Sequence, residues 1–353
     1  MRCTYIIVIL AVVMFLCTGA CSESNPAVQV YCSINDDGSS FRLDNSLEVE
    51  TYGTPFYTSD KLIFHLGERL VRRELGSPGI ELTPAGSHIT DTQHLAIDKL
   101  NMMLYFAMGY AICRVDMNGN NFSRLSPDDG SYYSAPELST NFNYLTAIKH
   151  GQIARMDIQT GIWTELPEPV SAFYAVYIED TDEYYFYSST GPFDPKYALC
   201  KMNAQRDSSL IFEIPRDNYY EMPNARISKD LRYFALQGKR EPYDHVSYSG
   251  NVITQRYPSV LMVYDRQNDE IFSIEDCYSY AFTQNLGTLL YSREKHGMAD
   301  LMRMSLPSRE IETIWDGYYH YDTFSYCVSE IYPRFDGRII HMKAWQHYWK
   351  PKT

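Results

Sequence analysis

Short apolar runs separated by polar turns recur along the chain, and no long stretch has the i, i+3, i+4, i+7 spacing of an amphipathic helix. Seven of these runs are LIF (62–64), LYF (104–106), YLT (144–146), YYF (184–186), YFA (233–235), LLY (289–291) and IIH (339–341). Runs this short and this continuous suit strands buried on both faces. Their middle residues, 63, 105, 145, 185, 234, 290 and 340, lie 42, 40, 40, 49, 56 and 50 positions apart.

Most runs are followed by a strand, a polar turn and a second strand. VYCSINDDGSSFRL (30–43) matches ICRVDMNGNNFSRL (112–125), and weaker copies occupy 153–166, 199–214, 261–274 and 301–314. The turns NDDG and MNGN supply the Gly and Asn that hairpins with positive φ require. A period of this size with about four strands per unit predicts propeller blades, and seven runs predict seven. The hairpin at 30–43 has no inner strands before it, while the run at 339–341 has little chain after it. The expected fold is therefore all-β, a seven-bladed propeller closed by pairing of the N-terminal hairpin with the C-terminal strands, which leaves no open sheet edge.

Segments such as LYFAMGYAICRVDMNGNNFSRL, in which a strand ending in aromatics precedes a D-x-x-G-x-x hairpin, resemble the blades of TolB-type and YWTD-type (low-density-lipoprotein-receptor-like) propellers. The resemblance covers most of 27–349. It implies architecture rather than activity, because such families include periplasmic scaffolds, receptor modules and domains attached to peptidases.

The first residues form a different kind of segment. MRCTYIIVILAVVMFLCTGAC has an early Arg2, an apolar run from Tyr5 to Leu16 and small residues before Cys21, the pattern of an export signal. A run that short does not span a bilayer of about 30 Å as a helix. Thr18-Gly19-Ala20-Cys21 resembles a bacterial lipobox, although Thr18 stands where leucine is usual, so the expectation is a lipoprotein acylated on Cys21. The chain divides into a signal (1–20), a polar tether (21–26), the propeller (27–349) and a tail (350–353). The resulting localisation is an exported protein held to the membrane by its lipid, in the periplasm or on the cell surface.

Arg2 is the one charged residue of the signal, so 30 basic residues face 44 acidic ones in the mature chain. This balance excludes nucleic acid as a natural partner and gives no attraction to anionic lipid. The cysteines beyond Cys21 show no CxxC or zinc spacing, and most sit in apolar runs as small buried hydrophobes.

Three similar stretches, DGSYY (129–133), DNYY (217–220) and WDGYYHYD (315–322), fall in the predicted blade-to-blade loops. They nominate Tyr132, Tyr133, Tyr219, Tyr220, Tyr318, Tyr319, His320 and Tyr321 as ligand-binding residues on one face near the axis. The competing reading is that these tyrosines pack between blades with their hydroxyls in water. The insertion 238–258 adds Tyr243 and His245 to the same face, as an irregular loop of functional length. Acidic residues nearby, Asp129, Asp217 and Asp316, favour a neutral glycan, a basic peptide or an envelope protein as partner.

There is no G-x-S-x-G elbow, H-E-x-x-H or P-loop, so no catalytic residue, metal ligand or cofactor is assigned. The expected function is an envelope binding or scaffold protein. The alternative is a propeller lyase acting on acidic polysaccharide, with a divalent metal held by histidines. Its candidate ligands, His320, His341, Gln346 and His347, do not reproduce a Q-x-x-H-x-H spacing.

Overall fold

The computed structural model describes residues 28–37, 39–40, 42–43, 54–59, 62–74, 77–166, 171–189, 196–215, 224–239, 243–246, 253–256, 259–283, 287–295, 298–316, 324–333 and 339–348. These residues form seven four-stranded antiparallel sheets and one two-stranded ribbon, and the protein is an all-β propeller. In six sheets the strands follow one another along the chain. They run from Thr54–Tyr57 to Ile80–Glu81 (sheet 1), Leu95–Asp98 to Ser123–Arg124 (sheet 2), Tyr133–Leu138 to Trp163–Glu165 (sheet 3), Ala172–Ile178 to Ser208–Pro215 (sheet 4), Ala225–Ile227 to Glu270–Glu275 (sheet 5) and Cys277–Phe282 to Ile311–Trp315 (sheet 6). A composite sheet joins both ends of the chain in the order Arg42–Leu43, Val28–Asn35, Ile339–Tyr348, Phe324–Pro333. Its central pairing is in continuous register from Val28↔Gln346 to Asn35↔Ile339.

Burial explains why the apolar runs become second strands. Met103–Met108 and Tyr144–Lys149 are buried at all four central positions, whereas the outermost strands, such as Trp163–Glu165, are largely exposed. Side chains alternate faces along a strand, so four buried residues in succession mean that both faces are covered. The outer hairpins are fixed by short acidic or amide side chains that bond to backbone. The Asp116 carboxylate accepts the N–H groups of Asn118 and Asn120 at 2.9 and 2.8 Å, with Gly119 at φ +88° between them. Asp157 does the same for Thr160 at 2.8 Å, and Asp265 for Gln267 at 3.0 Å. These Asx turns are local devices that fix hairpin register.

An even number of strands per sheet has a directional consequence. Each meander leaves its last strand at the face where its first began, so all six contiguous inner strands run the same way. Blade-to-blade loops then share one face, and turns between first and second strands share the other.

The insertion at 238–258 is more regular than its sequence suggested. Tyr243–Val246 pairs with Ile253–Arg256 as a separate antiparallel ribbon. The only helix among the described residues is one 3-10 turn, Glu179–Thr181. Cys113, Cys200 and Cys277 are free thiols. Burial pushes the Cys113 thiol up to about 11, as expected of cysteines used as hydrophobes.

In the composite sheet Cys32, Ile34, Ile340 and Met342 form one apolar cluster with Leu301, Ile314 and Trp315 of sheet 6. Ile34 is 1% exposed. Ile34→Ala should therefore lower unfolding stability by about 2–5 kcal/mol in urea titration. A loss below about 0.5 kcal/mol would show that the N-terminal strand adds little to the cooperative unit.

Candidate binding site in the axial channel

The inner strands surround a cavity of about 630 Å³. Each of the seven sheets contributes to its wall, through Phe56, Ile97, Leu138, Tyr174, Ile227, Phe282 and Tyr332. A narrower space of about 250 Å³ is lined by His94, Glu137, Tyr174, Arg226, Phe56 and Phe282. Cavities of this size, apolar with a few convergent polar groups, are the usual form of ligand sites.

The polar groups are held by an irregularity in the inner strand of sheet 3. Register shifts between Ser134 and Glu137, where Pro136 cannot donate to a ladder and Ala135 adopts φ +47°. The Ala135 N–H freed by this bulge donates to Asp91 Oδ2 at 2.8 Å. Asp91 also holds His94 Nδ1, at 2.9 and 3.0 Å from its two oxygens. Burial works against the Asp91 charge. His94 and the N–H groups of Gln93 and Ala135 outweigh it and keep the carboxyl below its ordinary range.

The His94 ring lies 4.6 Å from that of Tyr174, and the Tyr174 hydroxyl donates to Glu137 Oε2 at 2.5 Å. Leu138 N–H donates to Glu137 Oε1 at 3.2 Å. Burial pushes the Glu137 carboxyl up despite the Tyr174 hydrogen bond and nearby His94. Tyr174 itself is raised well above a normal phenol, by burial and then by Glu137.

Tyr174 stacks on Tyr187 with ring centres 6.0 Å apart. The Tyr187 hydroxyl donates to the carbonyls of Arg226 and Ala235, and that of Tyr280 to the carbonyls of Asn224 and Ala235. Two buried phenols from sheets 4 and 6 thus clamp the three-residue inner strand of sheet 5, Ala225–Ile227. That strand carries Arg226, whose Nε donates to Asn224 Oδ1 at 3.3 Å. At the far mouth Lys99 donates to the Thr58 carbonyl at 2.8 Å, beside Lys229.

The tyrosines nominated from sequence divide. Tyr133 is 1% exposed and packs on Trp163 at 5.3 Å, so it is a core residue and cannot offer its ring to a ligand in this state. Lys149 lies over its ring at 5.6 Å and pairs with Asp129 at 3.0 Å, which removes much of that loop's acidity. Tyr132 is half-buried, its ring tilted against that of Tyr110 with centres 5.1 Å apart. Burial and then Asp91 raise its phenol. Tyr219, Tyr220, Tyr318, Tyr319, His320 and Tyr321 lie outside the described residues, as does Cys21. Tyr243 and His245 are placed only by backbone, paired with Arg256 and Thr254. His341, Gln346 and His347 are likewise placed by strand register alone.

Asp91, His94, Glu137, Tyr174 and Arg226 were not singled out by sequence reasoning. The available signal was Pro136 followed by a glutamate inside a strand-like stretch, YSAPEL, which marks a bulge and a buried acid.

No family model and no curated protein sequence matches the chain. Solved structures do match. The extracellular domain of a hybrid two-component system protein from B. thetaiotaomicron is similar over 92% of this chain and 40% of that one, at 13% identity and a TM-score of 0.50. A TolB structure from Agrobacterium tumefaciens is similar over 93% of this chain and all of that one, at 16% identity and TM-score 0.42. A nidogen/laminin complex chain matches over 72% of this chain and 93% of that one, at 10% identity and TM-score 0.44. The structural neighbours thus include TolB and a nidogen/laminin complex chain, and what the B. thetaiotaomicron domain shares with this chain is the fold alone.

Glu137 gives a pH prediction. Its carboxyl titrates higher in the folded than in the unfolded chain, so its contribution is fully present below the ordinary 4.5 and is lost as pH rises through the raised value. Relative to wild type, Glu137→Gln should therefore gain stability as pH rises above the ordinary 4.5 in urea melts. A difference independent of pH would show that Glu137 titrates normally.

Proposed function

We propose that this protein is an exported, lipid-anchored binding module of the cell envelope that holds its ligand in the axial channel. In this reading all seven sheets are blades of one ring, and the composite sheet closes it. The observation that carries the proposal is the single cavity walled by the inner strands of all seven sheets. A space walled by every sheet fits a ring better than an open array, because an open array would leave two sheets apart.

Export rests on the leader segment and Cys21. The B. thetaiotaomicron domain illustrates the same fold in an extracellular setting. One mouth of the channel is framed by blade-to-blade loops, where the tyrosine clusters belong by sequence. The other is framed by the turns that carry Lys99 and Lys229. A ligand-binding role accounts for buried ionisable groups that a purely structural ring has no need to keep, since burying them costs free energy.

Two experiments test this. Wild type, a channel-filling variant Ile227→Trp and an outer-turn variant Asn118→Ala would be screened against a glycan array and envelope extracts. Capture should be lost with Ile227→Trp and kept with Asn118→Ala, with circular dichroism confirming both folds; the reverse pattern would move the site to the outer turns. For the anchor, Cys21→Ser should yield a soluble exported protein or an uncleaved precursor in cell fractionation. Normal processing with continued membrane partition would refute lipidation.

A further inference from the structure

We infer that the axial channel binds a carboxylate-bearing ligand with an apolar body, whose carboxylate pairs with Arg226. This rests on the reading of the channel as the ligand site. It also reverses the charge preference suggested by the acidic loops outside.

The chain is strongly acidic, and carboxylates are plentiful near its arginines. Arg69, Arg124, Arg232, Arg303 and Arg309 pair with Glu81, Asp128, Asp265, Glu312 and Glu270. Arg226 differs. It is half-buried, lines both parts of the channel and makes one side-chain hydrogen bond, to an amide oxygen, with no ion pair among the described residues. A guanidinium withdrawn from water without a counter-charge is costly, and its planar fork matches a carboxylate bidentately.

The nearby protein acid does not supply that charge. Glu137 is engaged by the Tyr174 hydroxyl and the Leu138 N–H, and burial disfavours its ionised form. Tyr174 shares the channel wall with Arg226, and the Tyr280 hydroxyl bonds the carbonyl of Asn224, two residues before it. Both hydroxyls are already donated, to Glu137 and to backbone, so the arginine is what remains for an anion.

Around it the walls are Phe56, Ile227 and Phe282, flat or branched apolar surfaces suited to a ring. Lys99 and Lys229 mark the mouth through which a negative group would enter. Positive charges at a low-dielectric opening raise the local concentration of anions even on an acidic protein.

The test uses benzoate and its neutral isostere benzamide with the full mature protein, read by saturation-transfer NMR titration. Benzoate should bind at least about tenfold more tightly than benzamide. Arg226→Gln should remove that advantage, and Arg226→Lys should keep part of it. Tyr187 bonds to the backbone carbonyl of residue 226, which both variants retain, so the fold should survive. Equal binding of the two probes, no benzoate binding up to tens of millimolar, or unchanged preference in Arg226→Gln would overturn the inference. Ile227→Trp separates this failure from a failure of the channel reading. Probes that bind without charge preference but are lost in Ile227→Trp leave the channel as the site and sink the carboxylate. Binding that survives Ile227→Trp sinks the channel itself.

Discussion

Every sheet in this protein depends on its neighbours for a hydrophobic interior. A single four-stranded sheet has two faces, and here the second and third strands are apolar on both. The apolar clusters accordingly lie between sheets rather than within them. One cluster joins sheets 1 and 2, another 2 and 3, a larger one 3, 4 and 5, and two more link 5 with 6 and 6 with the composite sheet. Stability is thus shared in series, much as in repeat proteins where each unit is supported by those beside it. The aromatic content serves these junctions. Tyr144 meets Tyr177 at 5.4 Å with Arg155 over both rings, and Tyr185 meets Phe234 at 4.8 Å.

Radial packing has a geometric consequence at the axis. Sheets that diverge outward must converge inward, so their inner strands approach one another while retaining space between them. Register shifts occur in the inner strands of sheets 3, 4, 6 and the composite sheet. In sheet 3 the shift is what frees Ala135 N–H for Asp91 and aligns Glu137 with Tyr174. The irregularity that spoils a strand therefore assembles the polar cluster.

This also explains what could be read from the sequence. Apolar runs at a 40–56 residue spacing and the Asp-Asn-Gly turns are local signals, each contained in one hairpin, and they led to the propeller, its sheet meanders and the shared face of the loops. The channel is not local. Asp91, His94, Glu137, Tyr174 and Arg226 come from four different sheets or their leads, and no short window contains more than two of them. Tyr133 misled for a related reason. Adjacent tyrosines entering a strand point to opposite faces, so Tyr132 and Tyr133 cannot share an environment, and only the sheet's neighbours decide which one is buried. The ribbon within 238–258 was hidden by its polar residues, since a two-stranded hairpin needs no apolar face to pair.

Charge distribution carries the argument one step further. Acidic residues dominate the outside, but many are already engaged in pairs or turns: Asp129 with Lys149, Asp116 and Asp157 with backbone amides. Their field on a ligand is weaker than a count suggests, because paired charges largely cancel beyond a Debye length of about 8 Å. Inside the channel the dielectric is lower and screening by salt is poorer, so in the proposed reading a guanidinium with no ion pair among the described residues would outweigh several exposed carboxylates in selecting what enters. In the proposed reading of the channel, the sign of the site is set by Arg226 on its wall, not by the net charge of the chain.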